Sequence, residues 1–366
     1  MSGVRQVVAS VRGATVSVAA RPEALAGLAR VARPYIDWAP AAGPPRAPHV
    51  RVGDGPPDGA DWRRVVLRSE YEPDRVLWVD DARHRLTLPA DDPEWTLQQL
   101  LRSVRHLLRW QGFARGDLFL HGGLVRVAGR GVAFLGHKKS GKTSSILSAL
   151  LNGGADFVSN DDLVLTDTDT DPDSGAGAAG GPLRAGAPLT GYGSPRTVNI
   201  RTDALLELAG TAPGLRTLLA EASHPTNAFP GRHHTRDAVH AESGTRLPGS
   251  VWVRCAELAH VTGRNLLPDA PVHAVVLPRF DAGTTRPDLT RLTPAEAHRA
   301  LAAHVEETAT KYDPFLAAWY PRTDADRRAR LLRRLAEETP CYRLTQSMTR
   351  LADGTSAVLA AVRDAR

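Results

Sequence analysis

One stretch constrains this chain more than any other: Gly-Val-Ala-Phe-Leu-Gly-His-Lys-Lys-Ser-Gly-Lys-Thr-Ser, residues 131–144. Four apolar residues, Val132 to Leu135, predict a buried strand. Gly136, four intervening residues, then Gly141, Lys142 and Thr143 complete the P-loop pattern, and a helical pattern follows. A strand, a glycine-rich turn and a helix in this order let consecutive backbone N–H groups curl round phosphate oxygens, with the positive helix end behind them. The candidate nucleotide-binding residues are therefore Gly136, His137, Lys138, Lys139, Ser140, Gly141, Lys142, Thr143 and Ser144. Lys142 is expected to reach the β- and γ-phosphates and Thr143 to offer its hydroxyl to Mg²⁺. Lysine usage sharpens this. Lys138, Lys139, Lys142 and Lys311 are the only lysines among 46 Lys and Arg residues, and three of them lie in this one loop. A compact point charge on a flexible stem is kept where phosphate is expected.

The rest of the composition excludes more than it selects. The 366 residues suffice for a large core, and no apolar run approaches the roughly 20 residues that span a bilayer. Residues 1–12 lack the apolar core and cleavage site of a secretory signal, and two cysteines, Cys255 and Cys341, make no disulfide framework or cysteine-rich zinc site. A cytoplasmic protein is expected. The net charge of +6 is carried on arginine in an Ala- and Gly-rich chain, which points to a GC-rich coding background. With no nucleic-acid motif beside it, no nucleic-acid or membrane partner is expected.

Along the chain, strand-like runs at 4–11, 14–19, 65–67, 75–79 and 85–88 and a helical patch at 22–32 make residues 1–90 a small α+β region, with a surface loop at 40–61. Residues 91–366 follow as a catalytic domain with flexible loops at 166–188 and 223–249. Asp92-Pro93-Glu94 opens a helix with its apolar stripe at Leu97, Leu100, Leu101, Val104, Leu107 and Leu108. Strands are expected at 117–120, 124–127, 156–158 and 163–165. Thr293-Pro294-Ala295-Glu296 caps a helix that should run to about Glu306. A further helix, 323–338, carries Arg327, Arg328, Arg330, Arg333 and Arg334 on what reads as a solvated face. The spacing Asp167, Asp169, Asp171 resembles a calcium loop, but Pro172 stands where that loop requires Gly. His233, His234 and His240 have no partner constellation around them.

Phosphoryl transfer needs more than a P-loop. Asp161 and Asp162 follow Lys142 by 19 and 20 residues, at the end of the next strand. One can hold Mg²⁺; the other can take the proton of an attacking hydroxyl, its proton affinity raised by its neighbour's charge. A cationic clamp for the developing charge can come from Lys138 or Lys139, from Arg196, or from Arg232 or Arg236 in the long loop.

The run Leu120-His121-Gly122-Gly123-Leu124-Val125, the P-loop, and Val158-Ser159-Asn160-Asp161-Asp162 together resemble the catalytic core of the HPr kinase/phosphorylase family. The resemblance covers residues 117 to about 165 and is weaker beyond. It implies an HPr kinase/PEP carboxykinase-like core, an α/β fold of α+β type built on a mixed sheet, with the small N-terminal region attached. It also implies that His121 lies near the transferred phosphate, that Lys142 binds phosphates, that Thr143 binds Mg²⁺, and that Asp161 and Asp162 share the metal and general-base roles. The family's Leu-Glu-Ile-Arg-Gly-type segment is not found between residues 190 and 260. The resemblance therefore implies a divergent kinase, similar to those that phosphorylate serine on lasso peptide precursors in natural-product biosynthesis. The expected function is an ATP- and Mg²⁺-dependent kinase acting on a hydroxyl, Ser or Thr of a peptide or small protein. A small-molecule alcohol kinase and a nucleotide-binding regulator with slow ATPase activity are the alternatives. ATP versus GTP and homo-oligomerisation stay open.

Overall fold

The computed structural model describes residues 3–56, 61–167, 187–229, 239–240, 246–306 and 313–364. The chain opens on a hairpin, β1 (Arg5–Val11) and β2 (Ala14–Ala20). Its two-residue turn, Arg12-Gly13, has both φ angles positive, which matches the twist of the flanking strands. Helix α1 (Pro22–Ala32) and strands β3 (Asp37–Pro40), β4 (His49–Val52), β5 (Arg63–Leu67), β6 (Arg75–Asp80) and β7 (Arg85–Leu88) follow. They form one mixed seven-stranded sheet, ordered β3-β1-β2-β4-β7-β6-β5, with β4 parallel to both β2 and β7. Strand β4 lies within the stretch expected to be a surface loop. Its His-Val-Arg-Val is too short to show a period, yet Val50 is fully buried at the middle of the sheet.

Helix α2 (Pro93–Ala114) starts as expected: Asp92 accepts from the backbone N–H groups of Glu94 and Trp95, and Pro93 occupies the first turn. Its stripe of Leu100, Val104 and Leu107, all fully buried, packs on the seven-stranded sheet beside α1. One buried apolar cluster therefore runs from Val18 and Leu86 through α2 into the second half of the molecule.

That half comprises β8 (Leu118–Leu120), β9 (Gly122–Val127), β10 (Arg130–Leu135), α3 (Lys142–Asn152), β11 (Asp156–Ser159), β12 (Leu163–Thr166), β13 (Thr190–Tyr192), β14 (Val198–Arg201), α4 (Thr202–Ala209) and α5 (Leu218–Glu221). It continues with β15 (Val239–His240), β16 (Arg246–Leu247), β17 (Ser250–Val253), α6 (Cys255–Thr262), β18 (Asp269–Phe280), β19 (Asp288–Arg291), α7 (Pro294–Ala302), α8 (Ala325–Glu338), β20 (Cys341–Gln346) and α9 (Leu351–Asp364). A nine-stranded mixed sheet follows the path β11-β9-β10-β18-β13-β12-β8, with β20 joined to both β18 and β19. Only the β10–β18 and β18–β20 pairs in it are parallel. The protein is thus α+β with mixed sheets.

Strand β10 is buried on both sides and its side chains alternate between two cores. Val132 and Phe134 join α3 and α9 in the larger cluster; Ala133 and Leu135 join α7 and α8 in a second. Two expectations are corrected. Helix α7 ends at Ala302 rather than near Glu306, and the chain then turns at 303–304 so that Val305 bridges Leu120 of β8. The arginines of α8 are not all solvated. Arg327 pairs with Asp167 at 2.7 Å, Arg328 lies over the Phe113 ring, and Arg334 is buried against Glu338 and the Ala187 carbonyl. Among the described residues, no helix is long and apolar enough to cross a membrane. Most of the acidic stretch after Asp167, with His233, His234, Arg232 and Arg236, falls outside the described residues, as does Lys311.

Candidate functional site

The loop from Gly136 to Gly141 leaves the end of β10 and enters α3 directly. Ser140 N–H donates to the His137 carbonyl at 3.1 Å, and Lys139 and Gly141 take φ of 70° and 101°. A Cβ on Gly136 would overlap the Ser140 hydroxyl, so glycine is required for the turn to close. Gly141 is the N-cap of α3 and supplies no side-chain cap. The first-turn N–H groups have no intrahelical acceptor and carry the positive end of the helix dipole. Lys142 is buried along its stem, and its Nζ donates to the carbonyls of Gly136 (2.7 Å) and His137 (3.2 Å). His137, Lys138 and Lys139 are exposed around the loop, and Ser144 is buried behind it.

Two chain corners flank this loop. Strand β9 pairs with β10 on one edge and β11 on the other, so His121, just before β9, and Asn160-Asp161, just after β11, arrive side by side. The approach is close: a Cβ on Gly123 would overlap the Ser159 carbonyl and lie 2.9 Å from Asn160 Cα. Asp161 sits at φ 66°, a left-handed turn that short polar residues tolerate. Its Oδ1 is 3.9 Å from Lys142 Nζ and 4.0 Å from His121 Nε2. The Thr143 hydroxyl donates to Asn160 Oδ1 at 3.1 Å. The structure thus gathers Lys142, Thr143, His121 and Asp161 at one mouth, as the motifs require.

Two residues at this mouth escape sequence reasoning. His121 N–H donates to the His304 carbonyl and Glu306 N–H to the Phe119 carbonyl, so residues 304–306 lie as an extra edge beside β8. This puts buried Glu306 Oε1 3.7 Å from His121 Nδ1 and the His304 ring against His137 at 4.6 Å. An ammonium only donates, so the 3.3 Å contact of Lys142 Nζ with His121 Nε2 makes that nitrogen the acceptor and puts the imidazole proton on Nδ1, facing Glu306. Burial chiefly, with the His137 ring, the Lys142 ammonium and the His121 ring beside it, lowers His304 to about 4. No residue-type signal marked either position; only the pairing of two distant segments does.

The paired aspartates separate. Asp162 is fully buried, and its carboxylate accepts from Arg105 Nη1 (2.6 Å), Arg196 Nη1 (2.8 Å) and Ser194 Oγ (3.1 Å), with Arg109 Nη2 at 3.6 Å. Burial alone would raise its proton affinity; the guanidiniums of Arg109, Arg196 and Arg105 outweigh it and hold the carboxyl well below the usual range. Arg109 also reaches Glu306 at 3.6 Å. A chain of polar contacts therefore runs from His121 through Glu306 and Arg109 to Asp162 and Arg196. Arg196, a candidate clamp in the sequence, belongs to the site's inner wall.

The sequence matches no family model and no curated protein. The chemistry therefore has to be read from the groups themselves. Asp161, more than a quarter exposed, has a lone pair to accept a proton; Asp162 has its oxygens committed to cations. For a metal, Thr143 Oγ1, Asn160 Oδ1 and Asp161 Oδ1 are hard oxygen donors of the kind Mg²⁺ takes, which typically adds phosphate oxygens and waters to one or two protein ligands. Among the described residues no group of three or more His, Cys, Asp or Glu side chains forms a metal cage. The donor set fits a metal brought with phosphate.

Proposed function

We propose that this protein is an ATP- and Mg²⁺-dependent kinase that transfers a γ-phosphoryl group to an alcohol, acting in the cytoplasm as a divergent relative of the HPr kinase/phosphorylase family. The observation that carries this is the meeting of Lys142, His121 and Asp161 within 4.0 Å at the uncapped start of α3. A helix end and a lysine bind phosphate; a carboxylate beside them gives a hydroxyl somewhere to leave its proton.

The acceptor hydroxyl attacks the γ-phosphorus in line while its proton passes to Asp161. The bond from the γ-phosphorus to the β–γ bridging oxygen breaks, and ADP leaves with that oxygen. Lys142 and the first-turn N–H groups of α3 neutralise the phosphate oxygens. Mg²⁺, held by Thr143 with Asn160 and Asp161 oxygens beside it, supplies charge neutralisation when bound. His121, its Nδ1–H facing Glu306, accepts from Lys142 and keeps the ammonium at the mouth. Arg196, anchored on Asp162, is the cation on the acceptor side. Ser or Thr of a peptide is the favoured acceptor class, with a small alcohol as the rival.

Transfer from radiolabelled ATP to a panel of hydroxyl acceptors, with nucleotide affinity measured in parallel, tests this. Lys142→Ala should lose both affinity and transfer; Asp161→Asn should keep affinity and lose transfer about 10²–10⁴-fold. A Lys142→Ala protein with full affinity and activity refutes the proposal. ATP binding with no transfer to any acceptor makes the protein a nucleotide-binding regulator instead.

A further inference from the structure

Next to the phosphate mouth, behind Arg196, lies a second cavity of about 320 Å³. Separate segments build it: the loop before β6, helix α2, residues 195–197, the turn at His224 and Trp252 of β17. Its lining is cationic. Arg75, Arg102, Arg105 and Arg196 face it with one carboxylate, Glu72, while Asp313 and Asp162 meet Arg75, Arg105 and Arg196 from outside the lining. The histidine at its back adds no charge: burial, with the cations beside it, lowers His106 to about 4. Burial, set against the pull of Asp162 and joined by the neighbouring Arg196, Arg109 and Arg102, brings Arg105 down to about 9. A lining of this sign favours an anionic ligand over a neutral one.

The walls also hold hydrogen-bonding atoms without partners among the described residues: Arg75 Nη1, His224 Nε2, Trp252 Nε1 and Gln98 Oε1. Arg75, Gln98 and His224 are each more than nine-tenths buried. The Thr226 N–H donates to His224 Nδ1 at 3.3 Å, so neutral His224 carries its proton on Nε2 and is a donor there. Burial keeps it neutral, lowering it to about 3. Its ring stacks on Trp252 (centroids 5.7 Å apart), and Asn227 fixes Trp252 through both its backbone N–H and carbonyl. Three donors, one of them cationic, stand against one acceptor. All four atoms are closed to solvent, so a ligand in the cavity would reach them only after side chains of the wall shift.

We propose that this cavity receives a carboxylate carried by the phosphate acceptor, with the Gln98 amide oxygen taking a neighbouring O–H or N–H of the same molecule. The acceptor role rests on the kinase reading above; the carboxylate site does not. Arg196, which lines the cavity and bonds the residue next to Asp161, joins the two.

Calorimetric titration of the full chain without nucleotide, using D-glycerate and L-serine against glycerol and L-serinamide, tests it. Each carboxylate should bind at least tenfold more tightly than its counterpart. Trp252→Phe, which keeps the ring and removes the donor, should weaken carboxylate binding about three- to tenfold. Gln98→Glu, nearly isosteric, should abolish the preference through like-charge repulsion, and ATP affinity should be unchanged in both. Equal binding of the probes with and without a carboxylate, or a preference untouched by both substitutions, overturns the proposal. Variant-sensitive carboxylate binding with ATP transfer only to acceptors lacking a carboxylate overturns the acceptor role alone.

Discussion

Asp162→Asn is the substitution whose consequence the structure specifies best. The wild-type carboxylate takes hydrogen bonds from Arg105, Arg196 and Ser194 and faces Arg109, with no exposed surface. Each such pair is worth roughly 4 kcal/mol gross at 4 Å in an effective dielectric of about 20, most of it offset by desolvation. Removing one partner of a buried cluster while leaving the others charged costs about 3–5 kcal/mol. Against a total stability of about 5–15 kcal/mol this is a large fraction. With an m-value near 3 kcal/mol/M, the urea midpoint at pH 7 should fall by about 1–1.7 M. Acid behaviour gives a second reading. The folded carboxyl lies below its unfolded value near 3.9, so its contribution is whole above that value and lost as pH falls through the folded one. The difference between wild type and Asp162→Asn should therefore shrink from about pH 5 downward. His49, His106 and His304, lowered to about 4 chiefly by burial, lose stability from about pH 6.5 downward in both proteins and cancel in the difference. Asp161→Asn, at a partly exposed carboxylate, should cost no more than about 1 kcal/mol. A midpoint shift under 0.3 M for Asp162→Asn, or acid curves that run parallel, would refute the assignment of Asp162 to the arginine cluster.

Glu306→Gln should lower kcat about tenfold with nucleotide affinity unchanged, and ¹⁵N spectra should show His121 as the Nδ1–H tautomer in the wild type and not in Lys142→Ala; a mixed tautomer already in the wild type defeats the assignment. Thr143→Val should raise the Mg²⁺ concentration needed for half-maximal activity at least tenfold while ATP still binds without metal, read by metal titration. Gly123→Ala should force β9 and β11 apart, costing about 1–3 kcal/mol of stability in urea and weakening nucleotide binding.

How much of this was legible in the sequence depended on the range of the interactions. The strand–loop–helix from Arg130 to Asn152, the Asp92 cap and the Thr293 capping box are local, and local chemistry reads directly. The mouth of the site was legible as far as short segments carry it, His121 before β9 and Asp161 after β11. The division of labour between Asp161 and Asp162 was not, because neighbouring residues at a turn part in directions that no period reports. Asp161 takes the left-handed conformation and stays beside Lys142, while Asp162 enters the arginine cluster. Glu306 was hidden for a different reason. It reaches the site only because α7 stops early and the following residues pair with β8, which a capping signal at Thr293 cannot foresee. Strand β4 has its place in the middle of the sheet from its neighbours, not from its own four residues.

Helix α2 explains why the N-terminal sheet belongs to the site rather than beside it. One face of α2 is the apolar stripe that packs on that sheet; another carries Arg102, Arg105, His106 and Arg109. Those four reach Glu72 before β6, Asp162 after β11, Asp313 and Glu306. Arg105 Nη2 donates to His106 Nε2 at 3.2 Å, so neutral His106 turns its Nδ1–H to Asp313 at 2.9 Å and the face is held in a single hydrogen-bonded arrangement. A shift of the N-terminal sheet would carry α2 with it and pull on Arg105 and Arg109, which position Asp162, Glu306 and through them His121. The cavity behind Arg196 lies on this same face, so an anion bound there would tighten the cluster that orients the phosphate mouth. On the kinase reading proposed above, acceptor binding would then help assemble the transfer site, and nucleotide and carboxylate should bind with positive coupling in a two-ligand titration. Independent binding of the two would sever that link while leaving each site intact.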